Sequence, residues 1–363
     1  MKRIAIEASL ANASCPTGLG VYVHKLLEGL AAEAPKQFHF YLLHAQKEWN
    51  GPNYGPHLEP VSYHFTNLQS LAILCRLNQT LEGLQADLFH ATGTTGAPPH
   101  CRIPVISTIH DLYPLEKGAD VSFHFRLFFR LLLPWTLKNS VCFLCNSEFT
   151  RDELLKHGVA KEKTRVIYPA SQLEFSIPRG PSPTNGKPYY LCVGAIERRK
   201  GQAMLAEAYC LARKQNPLLP ELLFIGPDRG DGRYLAQYEE NSGIRWLHYV
   251  SVEELKAYYQ NAALFLCPSI FEGFGIPVLE ALNAGIPVLC SDLPVFREIA
   301  GEAACYVNPD RESFSRRILD FADRQVILDP EKNKERSALF SWEKNVSQTL
   351  ENYDIILYSK NSN

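Results

Sequence analysis

The sequence has no long uncharged apolar run and almost no net charge. Its 363 residues include 37 basic and 39 acidic side chains, which leave a formal net charge of -2. Nucleic acid as the main partner is therefore disfavoured, because phosphate backbones require a basic surface. The stretch that comes nearest to a membrane span, residues 123–135, is interrupted by Arg126 and Arg130 and falls short of the roughly 18 apolar residues required.

The N-terminus also lacks the features of a secretory signal. The segment MKRIAIEASLANAS carries two positive charges but has no long apolar core and no convincing cleavage site. It alternates like a buried first strand. We therefore expect no signal peptide and a cytoplasmic location.

The cysteines show no metal-site spacing. Ten are scattered along the chain, and several lie inside apolar runs, such as Cys192, Cys267 and Cys290. The C-x-x-C pair, Cys142 and Cys145, falls in a β pattern, where positions three apart point to opposite faces of a sheet. With no second Cys/His pair nearby, we expect buried thiols rather than a zinc or redox site.

Short apolar runs alternate with amphipathic segments throughout, which is typical of parallel α/β architecture. A Pro/Gly/Ser/Asn-rich stretch separates two such halves and is typical of a linker. The sequence thus predicts two Rossmann-like domains and a C-terminal amphipathic helix that packs back on the first domain, with bounds 1–171, linker 172–188, 189–340 and helix 341–363. Ligands bind beyond the carboxyl ends of parallel strands, so we expect the active site in a cleft between facing domains.

The strongest chemical signal is CPSIFEGFGIPVLEALNAGIPVLCSD, residues 267–292. It predicts a strand, a glycine-flanked turn, and a short helix with Pro277 near its start and Gly285 past its end. The positive end of such a helix suits an anionic or hydroxyl-rich ligand, and the carboxylates of Glu272 and Glu280 accept hydrogen bonds from diols. These residues alone leave open an ordinary strand-turn-helix with a solvated Glu272.

The same segment resembles the signature of the family 4 retaining glycosyltransferases, which have the GT-B fold of two facing Rossmann-like domains. Further stretches resemble that family in the same order: TGLGVYVHKLLEGL (17–30), PVISTIHDL (104–112), NSEFTR, VGAIERRKG (193–201), SDLPVFREIAG and FSWEK. The resemblance covers nearly the whole chain. It implies a hexosyltransferase that uses a nucleotide-diphosphate sugar and a glycan or lipid-linked acceptor.

The resemblance also implies a role for each matching residue. Glu272 would bind the donor sugar's hydroxyls, Glu280 would hold the ribose diol, and His110 would lie beside the reacting centre. The remaining donor contacts would come from Gly18, Gly20, Gly194, Tyr249, Val250, Gly273, Phe274, Gly275 and Ile276. Taken alone, His110 could be a satisfied strand-end histidine, and the Gly18–Gly20 pair could serve only a turn before a helix.

Arg199 and Lys200 resemble the pair that holds the donor diphosphate. The leaving diphosphate gains negative charge, and each nearby cation contributes about 4 kcal/mol at an effective dielectric near 20. We see no Asp-x-Asp element, so we predict catalysis without a metal or other cofactor. Many relatives have an arginine where this chain has Ala195, so either Arg198 or Arg199 could be the arginine concerned. A second departure is His248, where glycine is frequent.

Several alternatives stay open at this stage. A nucleotide-sugar epimerase of similar build, or a catalytically silent nucleotide-sugar-binding partner, would share much of the pattern. GDP-mannose is the first donor expected, but UDP-glucose and deoxyhexose donors remain open. The segment 123–138 fits a helix packed on the sheet with snorkelling arginines, or a helix that makes peripheral contact with the inner face of the membrane.

Overall fold

The computed structural model describes residues 1–12, 18–64, 73, 75–175, 180–238 and 242–359. The chain forms two compact units, the first comprising Met1–Ala170 with Ser341–Asn363 and the second Ser171–Phe340. The described part of the predicted linker 172–188 belongs to the second unit. Residues 176–179 of that segment lie outside the described residues, as does Thr17 of the glycine-rich start.

The first unit is built on a parallel sheet with the strand order β3-β2-β1-β4-β5-β6-β7. Its strands are β1 Lys2–Glu7, β2 Phe38–His44, β3 Leu58–Ser62, β4 Leu88–Ala91, β5 Val105–Ile109, β6 Ser140–Cys145 and β7 Thr164–Val166. The described helices are α1 Gly18–Glu33, α2 Leu77–Gly83, α3 Phe123–Asn139 and α4 Glu148–Lys156, with α12 Trp342–Ser359 after the second unit.

Both faces of this sheet are covered, which is why its central strands are apolar at successive positions. On β1, Ile4 and Ile6 lie in one core while Ala5 lies in the core on the opposite face. On β6, Cys142 and Cys145 likewise join different cores, as the three-residue spacing predicted. The cysteines that the structure describes are free thiols.

The C-terminal helix α12 completes the first of these cores. Val346, Leu350, Tyr353 and Leu357 recur at helical spacing and pack with residues of α1 and β1. The Tyr353 hydroxyl is 2.6 Å from Nδ1 of the fully buried His90. Burial, together with a smaller contribution from His110, lowers the pKa of His90 to about 3, so His90 is neutral at neutral pH.

The second unit repeats the architecture with the strand order β10-β9-β8-β11-β12-β13. Its strands are β8 Tyr189–Val193, β9 Glu221–Ile225, β10 Ile244–Trp246, β11 Leu264–Cys267, β12 Val288–Ser291 and β13 Cys305–Val307. Its described helices are α5 Gln202–Gln215, α6 Gly232–Ala236, α7 Val252–Asn261, α8 Ile276–Asn283, α9 Pro294–Ala300, α10 Arg311–Ala322 and α11 Pro330–Ser337. The direction of strand addition changes between β8 and β11, so ligands are expected at the carboxyl ends of these two strands.

The helix α3 packs on the sheet through one face, as the first alternative for residues 123–138 predicts, while contact with the membrane stays a prediction. Its inward face is buried through Phe129, Leu132, Leu133 and Thr136, while Phe123 and Leu131 are exposed. Ser122 caps the helix by accepting a hydrogen bond from the Phe125 N–H at 3.2 Å. None of the helices in the described ranges is long and apolar enough to cross a membrane.

Candidate active site

The loops that follow β8 and β11 lie side by side at the carboxyl edge of the second sheet. The Ile270 N–H donates to the Arg199 carbonyl at 2.8 Å, which ties the two loops together. This close approach requires glycine at position 201. A Cβ there would clash with the Pro268 carbonyl oxygen at 2.2 Å, and the φ of +71° lies in the left-handed region that favours glycine. Two segments that are 71 residues apart at this hydrogen bond (270 − 199) therefore share one site.

This contact assembles a charged cluster, formed by Arg199, Lys200, Ser269 and Glu272. The Lys200 Nζ is 2.5 Å from Glu272 Oε1, and the Ser269 hydroxyl donates to the same oxygen at 2.8 Å. Arg199 Nη1 lies 3.5 Å from Glu272 Oε2, and its Nε pairs with Glu197 at 2.7 Å. Glu272 is only 6% exposed, so the solvated alternative for this residue is wrong.

The electrostatics of the charged cluster keep Glu272 ionised. Burial alone raises the pKa of its carboxyl, but the charges of Lys200 and Arg199 and the hydrogen bonds from Lys200 and Ser269 outweigh burial. The net result is a pKa below the ordinary value. Arg198, by contrast, is exposed at the surface, whereas Arg199 is half-buried. Of the two arginines, Arg199 is therefore the one that faces the carboxylate.

Glu280 lies in α8, which starts at the end of the same loop. Gly275 is the N-cap residue with a φ of +110°, and Pro277 occupies the first turn. Glu280 is 5% exposed and faces the Tyr259 hydroxyl and the backbone of Gln172 rather than the charged cluster. Burial raises its pKa to about 7, and the nearby Tyr259 hydroxyl and Gln172 backbone only partly oppose this rise. Glu272 and Glu280 thus have different environments and opposite pKa shifts.

The loop before α8 presents backbone at the predicted donor site. Gly273, Phe274 and Gly275 are buried, and the ring of Phe274 packs edge-on against Phe340 at 5.7 Å. Ile276, the first residue of α8, is half-buried. These backbone groups stand at the positive end of the α8 dipole, which favours a negatively charged ligand.

Gly194 and the residues after β10 form the other side of this edge. Gly194 has a φ of +146°, and a Cβ at the neighbouring Gly226 would lie 2.0 Å from the Gly194 carbonyl oxygen. His248 has a φ of +52°, a conformation that favours glycine, and its ring lies 3.9 Å from that of Trp246. Tyr249 is 79% exposed and Val250 is half-buried, so neither belongs to the charged cluster.

In the first unit, His110 follows β5 at the carboxyl edge of the first sheet. Its Nε2 is 2.8 Å from the Thr92 carbonyl oxygen, and its own carbonyl accepts from Asn146 at 2.9 Å. A carbonyl can only accept, so Nε2 carries the proton and Nδ1 is left as a hydrogen-bond acceptor. Burial lowers the pKa of His110, although the Thr92 contact and Asp111 oppose this, and Tyr22 contacts the ring edge-on at 4.9 Å.

Gly18 and Gly20 belong to the first turn of α1, not to a turn ahead of the helix. Gly18 is exposed, and a Cβ added to it would have no neighbouring atom within 4 Å. Gly20 is buried. The alternative of a turn that precedes the helix is therefore wrong for this pair. A contact between these glycines and the donor stays a prediction.

Sequence reasoning missed three side chains that contact the predicted charged residues. Ser269 and Glu197 lie inside the motifs that were recognised, but their pairing with Glu272 and Arg199 depends on the approach of the two loops. Tyr259 lies on α7, and its position beside Glu280 has no local signal in the sequence. In the described parts of the chain, no group of three or more His, Cys, Asp or Glu is placed to hold a metal ion.

Two family models match consecutive parts of the chain: Glycosyltransferase Family 4 over residues 16–175 and Glycosyl transferases group 1 over residues 176–338. The O-antigen chain mannosyltransferase RfbU of Salmonella typhimurium is 32% identical over 224 residues, covering 59% of this chain and 60% of that protein. The O-antigen chain mannosyltransferase B of Escherichia coli is 32% identical over 177 residues, covering 46% of each chain. The matches thus span about half of the length of these relatives.

The fold has close counterparts among solved structures. Sucrose-phosphate synthase from Thermosynechococcus elongatus has a TM-score of 0.74 at 21% sequence identity. The alignment covers 99% of this chain and 100% of that one. At this identity the likeness concerns the fold, which is two parallel-sheet α/β units of the GT-B type.

Proposed function

We propose that this chain, which belongs to the family 4 glycosyltransferases with the GT-B fold, transfers a hexose from a nucleotide-diphosphate sugar to an acceptor hydroxyl with retention of configuration. The observation that carries the proposal is the buried Glu272 held between Lys200 and Arg199. Both cations come from the loop after β8, at the point where the strand order changes.

In the structure the two cations are paired with a carboxylate, and the donor diphosphate would compete for them. Lys200 and Arg199 would then hold the phosphates, while Glu272 would accept hydrogen bonds from the sugar hydroxyls. As the glycosidic bond breaks, negative charge grows on the leaving diphosphate. Each cation would lower that barrier by up to about 4 kcal/mol at an effective dielectric near 20, which supports a proposal of metal-independent transfer.

The remaining roles follow the family resemblance. Glu280 would bind the ribose diol through its carboxylate, and Nδ1 of His110 would accept a hydrogen bond from a sugar hydroxyl. The acceptor hydroxyl would attack on the face from which the diphosphate leaves. An oxygen of that diphosphate would take the hydroxyl proton, so that no protein nucleophile is required.

The donor proposed first is GDP-mannose, since two relatives are named O-antigen chain mannosyltransferases. The acceptor would be a glycan or a lipid-linked glycan in polysaccharide or lipopolysaccharide assembly, with peripheral contact at the inner face of the membrane. A panel of GDP, UDP and dTDP sugars tested by thermal shift identifies the donor, because a ligand that binds the folded state raises its apparent stability. A melting temperature unchanged by every nucleotide sugar would refute the proposal.

The mechanism is tested with the donor identified in that way. We expect NMR of the product to show the donor's anomeric configuration, and we expect transfer to continue in EDTA. An inverted product, a sugar trapped on a side chain, or loss of transfer in EDTA would contradict the corresponding part of the mechanism. Conversion of the donor to an isomer without any acceptor would instead identify an epimerase.

The charged cluster is tested with isosteric variants. Glu272→Gln should reduce kcat by at least about a hundredfold, because a neutral amide accepts hydrogen bonds from sugar hydroxyls less strongly than a carboxylate does. Lys200→Met should weaken donor binding measured by calorimetry. Glu302→Gln is the matched control, since Glu302 forms an exposed ion pair with Lys332 in the same unit.

These variants also change stability, so folding must be checked alongside activity. Both Glu272→Gln and Glu272→Ala remove one partner of a buried ion pair, which costs about 3 kcal/mol or more. Alanine also leaves a cavity and removes the oxygen to which Lys200 and Ser269 donate, so Glu272→Gln is the better probe. Near-normal turnover in folded Glu272→Gln would remove the sugar-contact role. Unchanged donor affinity in folded Lys200→Met would place the diphosphate elsewhere.

A further inference from the structure

The helix α3 has two apolar faces, and the fold covers only one of them. Phe129, Leu132, Leu133 and Thr136 are buried against the rest of the first unit. On the opposite side, Phe123, Leu127 and Leu131 recur every four residues and are 74%, 45% and 57% exposed. Contiguous exposed apolar side chains of this kind mark an interaction surface in a folded protein.

The charges on this outward face have one sign. Arg130 and Lys138 are exposed and fall on the same side of the helix as Leu127 and Leu131. Between Phe123 and Asn139 the helix contains no Asp or Glu. The nearest acidic residue, Asp120, precedes the helix. An apolar stripe flanked by cations and free of acids matches an anionic lipid surface better than it matches another protein.

The position of α3 relates this face to the candidate site of the first unit. The helix begins 13 residues after His110, which follows β5 at the carboxyl edge of the sheet. In a parallel α/β unit, the helix after a strand starts at that edge and runs back toward the other one. Phe123 and Leu127 in its first two turns therefore lie toward the edge that carries His110.

We propose that the outward face of α3, formed by Phe123, Leu127, Arg130, Leu131 and Lys138, docks on an anionic membrane surface. The apolar side chains enter the boundary between headgroups and acyl chains, and the two cations contact lipid phosphates. The helix lies in the plane of the interface. That this docking presents a lipid-linked acceptor near His110 rests on the proposed transfer reaction. The docking itself does not rest on that reaction.

The experiment is sedimentation of the full chain with vesicles of phosphatidylcholine alone or mixed with phosphatidylglycerol. The wild type should bind the anionic vesicles, and added salt should weaken that binding. Joint replacement Phe123→Ser, Leu127→Ser and Leu131→Ser should reduce binding at least roughly tenfold through lost apolar burial. Joint replacement Arg130→Gln and Lys138→Gln should reduce it about 25-fold, at about fivefold per charge, and should flatten the salt dependence.

A matched control removes exposed apolar side chains elsewhere. Leu218 and Ile327 are 91% and 86% exposed in the second unit, and their joint replacement by serine should leave vesicle binding unchanged. Circular dichroism and melting temperature establish that each variant is folded. If the triple variant fails to fold, the charge variant alone carries the test, since Arg130 and Lys138 are exposed.

Three outcomes would overturn the proposal. These are absence of wild-type binding to anionic vesicles, equal binding to neutral vesicles, and equal loss of binding in the Leu218/Ile327 control. A dimer seen in solution without lipid and lost in the triple variant would show that the face joins two copies instead. Transfer to a water-soluble acceptor is measured separately: its absence in a wild type that binds vesicles refutes the proposed function and leaves docking intact.

Discussion

Replacing Glu280 with glutamine should change the stability of the protein in a way that depends on pH. In the folded chain the pKa of Glu280 is raised from 4.5 to about 7, chiefly by burial. Below pH 4.5 the carboxyl is protonated in both folded and unfolded states and adds no pH-dependent cost. Between 4.5 and 7 the folded state binds more protons, so the stability of the wild type falls as the pH rises through this range.

The size of the effect follows from the same pKa. At about 1.4 kcal/mol for each pKa unit, the rise from 4.5 to about 7 corresponds to about 3 kcal/mol above pH 7. Glu280→Gln removes this term, so the free energy of unfolding of the variant relative to the wild type should increase by about 2 to 3 kcal/mol between pH 5 and pH 9. For a unit of this size, that corresponds to roughly 5 to 10 °C in melting temperature.

The assay is differential scanning calorimetry of both proteins at several pH values without nucleotide. Glu302→Gln serves as the control, because Glu302 is exposed and the pKa of its carboxyl is lowered by the hydrogen bond and charge of Lys332. A difference between Glu280→Gln and wild type that stays constant from pH 5 to pH 9 would refute the reasoning. A difference that instead grows toward acid pH would mean that Glu280 is stabilised in its ionised form.

Three further predictions concern other residues of the second unit. Arg199→Gln should reduce kcat at least about tenfold, whereas Arg198→Gln should leave kcat within about twofold, since of the two arginines only Arg199 faces Glu272. Steady-state kinetics that show the reverse order would reassign the role to Arg198. Gly226→Ala should lower the free energy of unfolding by about 3 kcal/mol or more, because the new Cβ would lie 2.0 Å from the Gly194 carbonyl oxygen. Gly230 also has a positive φ but has open space around it, so Gly230→Ala should lower the free energy of unfolding by only about 1 to 2 kcal/mol in denaturant melts. The His248→Gly variant should be about 1 kcal/mol more stable than the His248→Ala variant. Both variants lose the contact with Trp246, but a positive φ is strained for alanine and not for glycine. Equal unfolding midpoints in urea would contradict this.

Much of the architecture could be predicted because the signals are local. Continuous apolar runs indicated the central strands, and glycine and proline positions indicated the turn before α8. The strands β3, β7 and β13 were not predicted, because they are short edge strands with mixed or polar sequences. Their identity depends on the neighbour with which each strand pairs.

The candidate site was predicted as a set of residues rather than as a geometry. Glu272, Lys200 and Arg199 were recognised from their motifs, and the structure brings these three together. Glu280 was expected to hold the ribose diol, which stays a prediction, and the structure shows that its carboxyl is buried near Tyr259. The choice between Arg198 and Arg199 also required side-chain positions, since adjacent residues in a single 3-10 turn point in different directions.

The sequence by itself determined the alternation of the central strands with helices, the two-unit architecture and the residue types at the site, because periodicity and turn chemistry act over a few residues. Only the tertiary structure decided which carboxylate meets the two cations, which one is buried beside a tyrosine, and which face of α3 stays uncovered. Those outcomes depend on the close approach of loops such as those joined at Gly201 and Pro268. Contacts between distant segments set burial and charge pairing, and these in turn set the pKa of each acid.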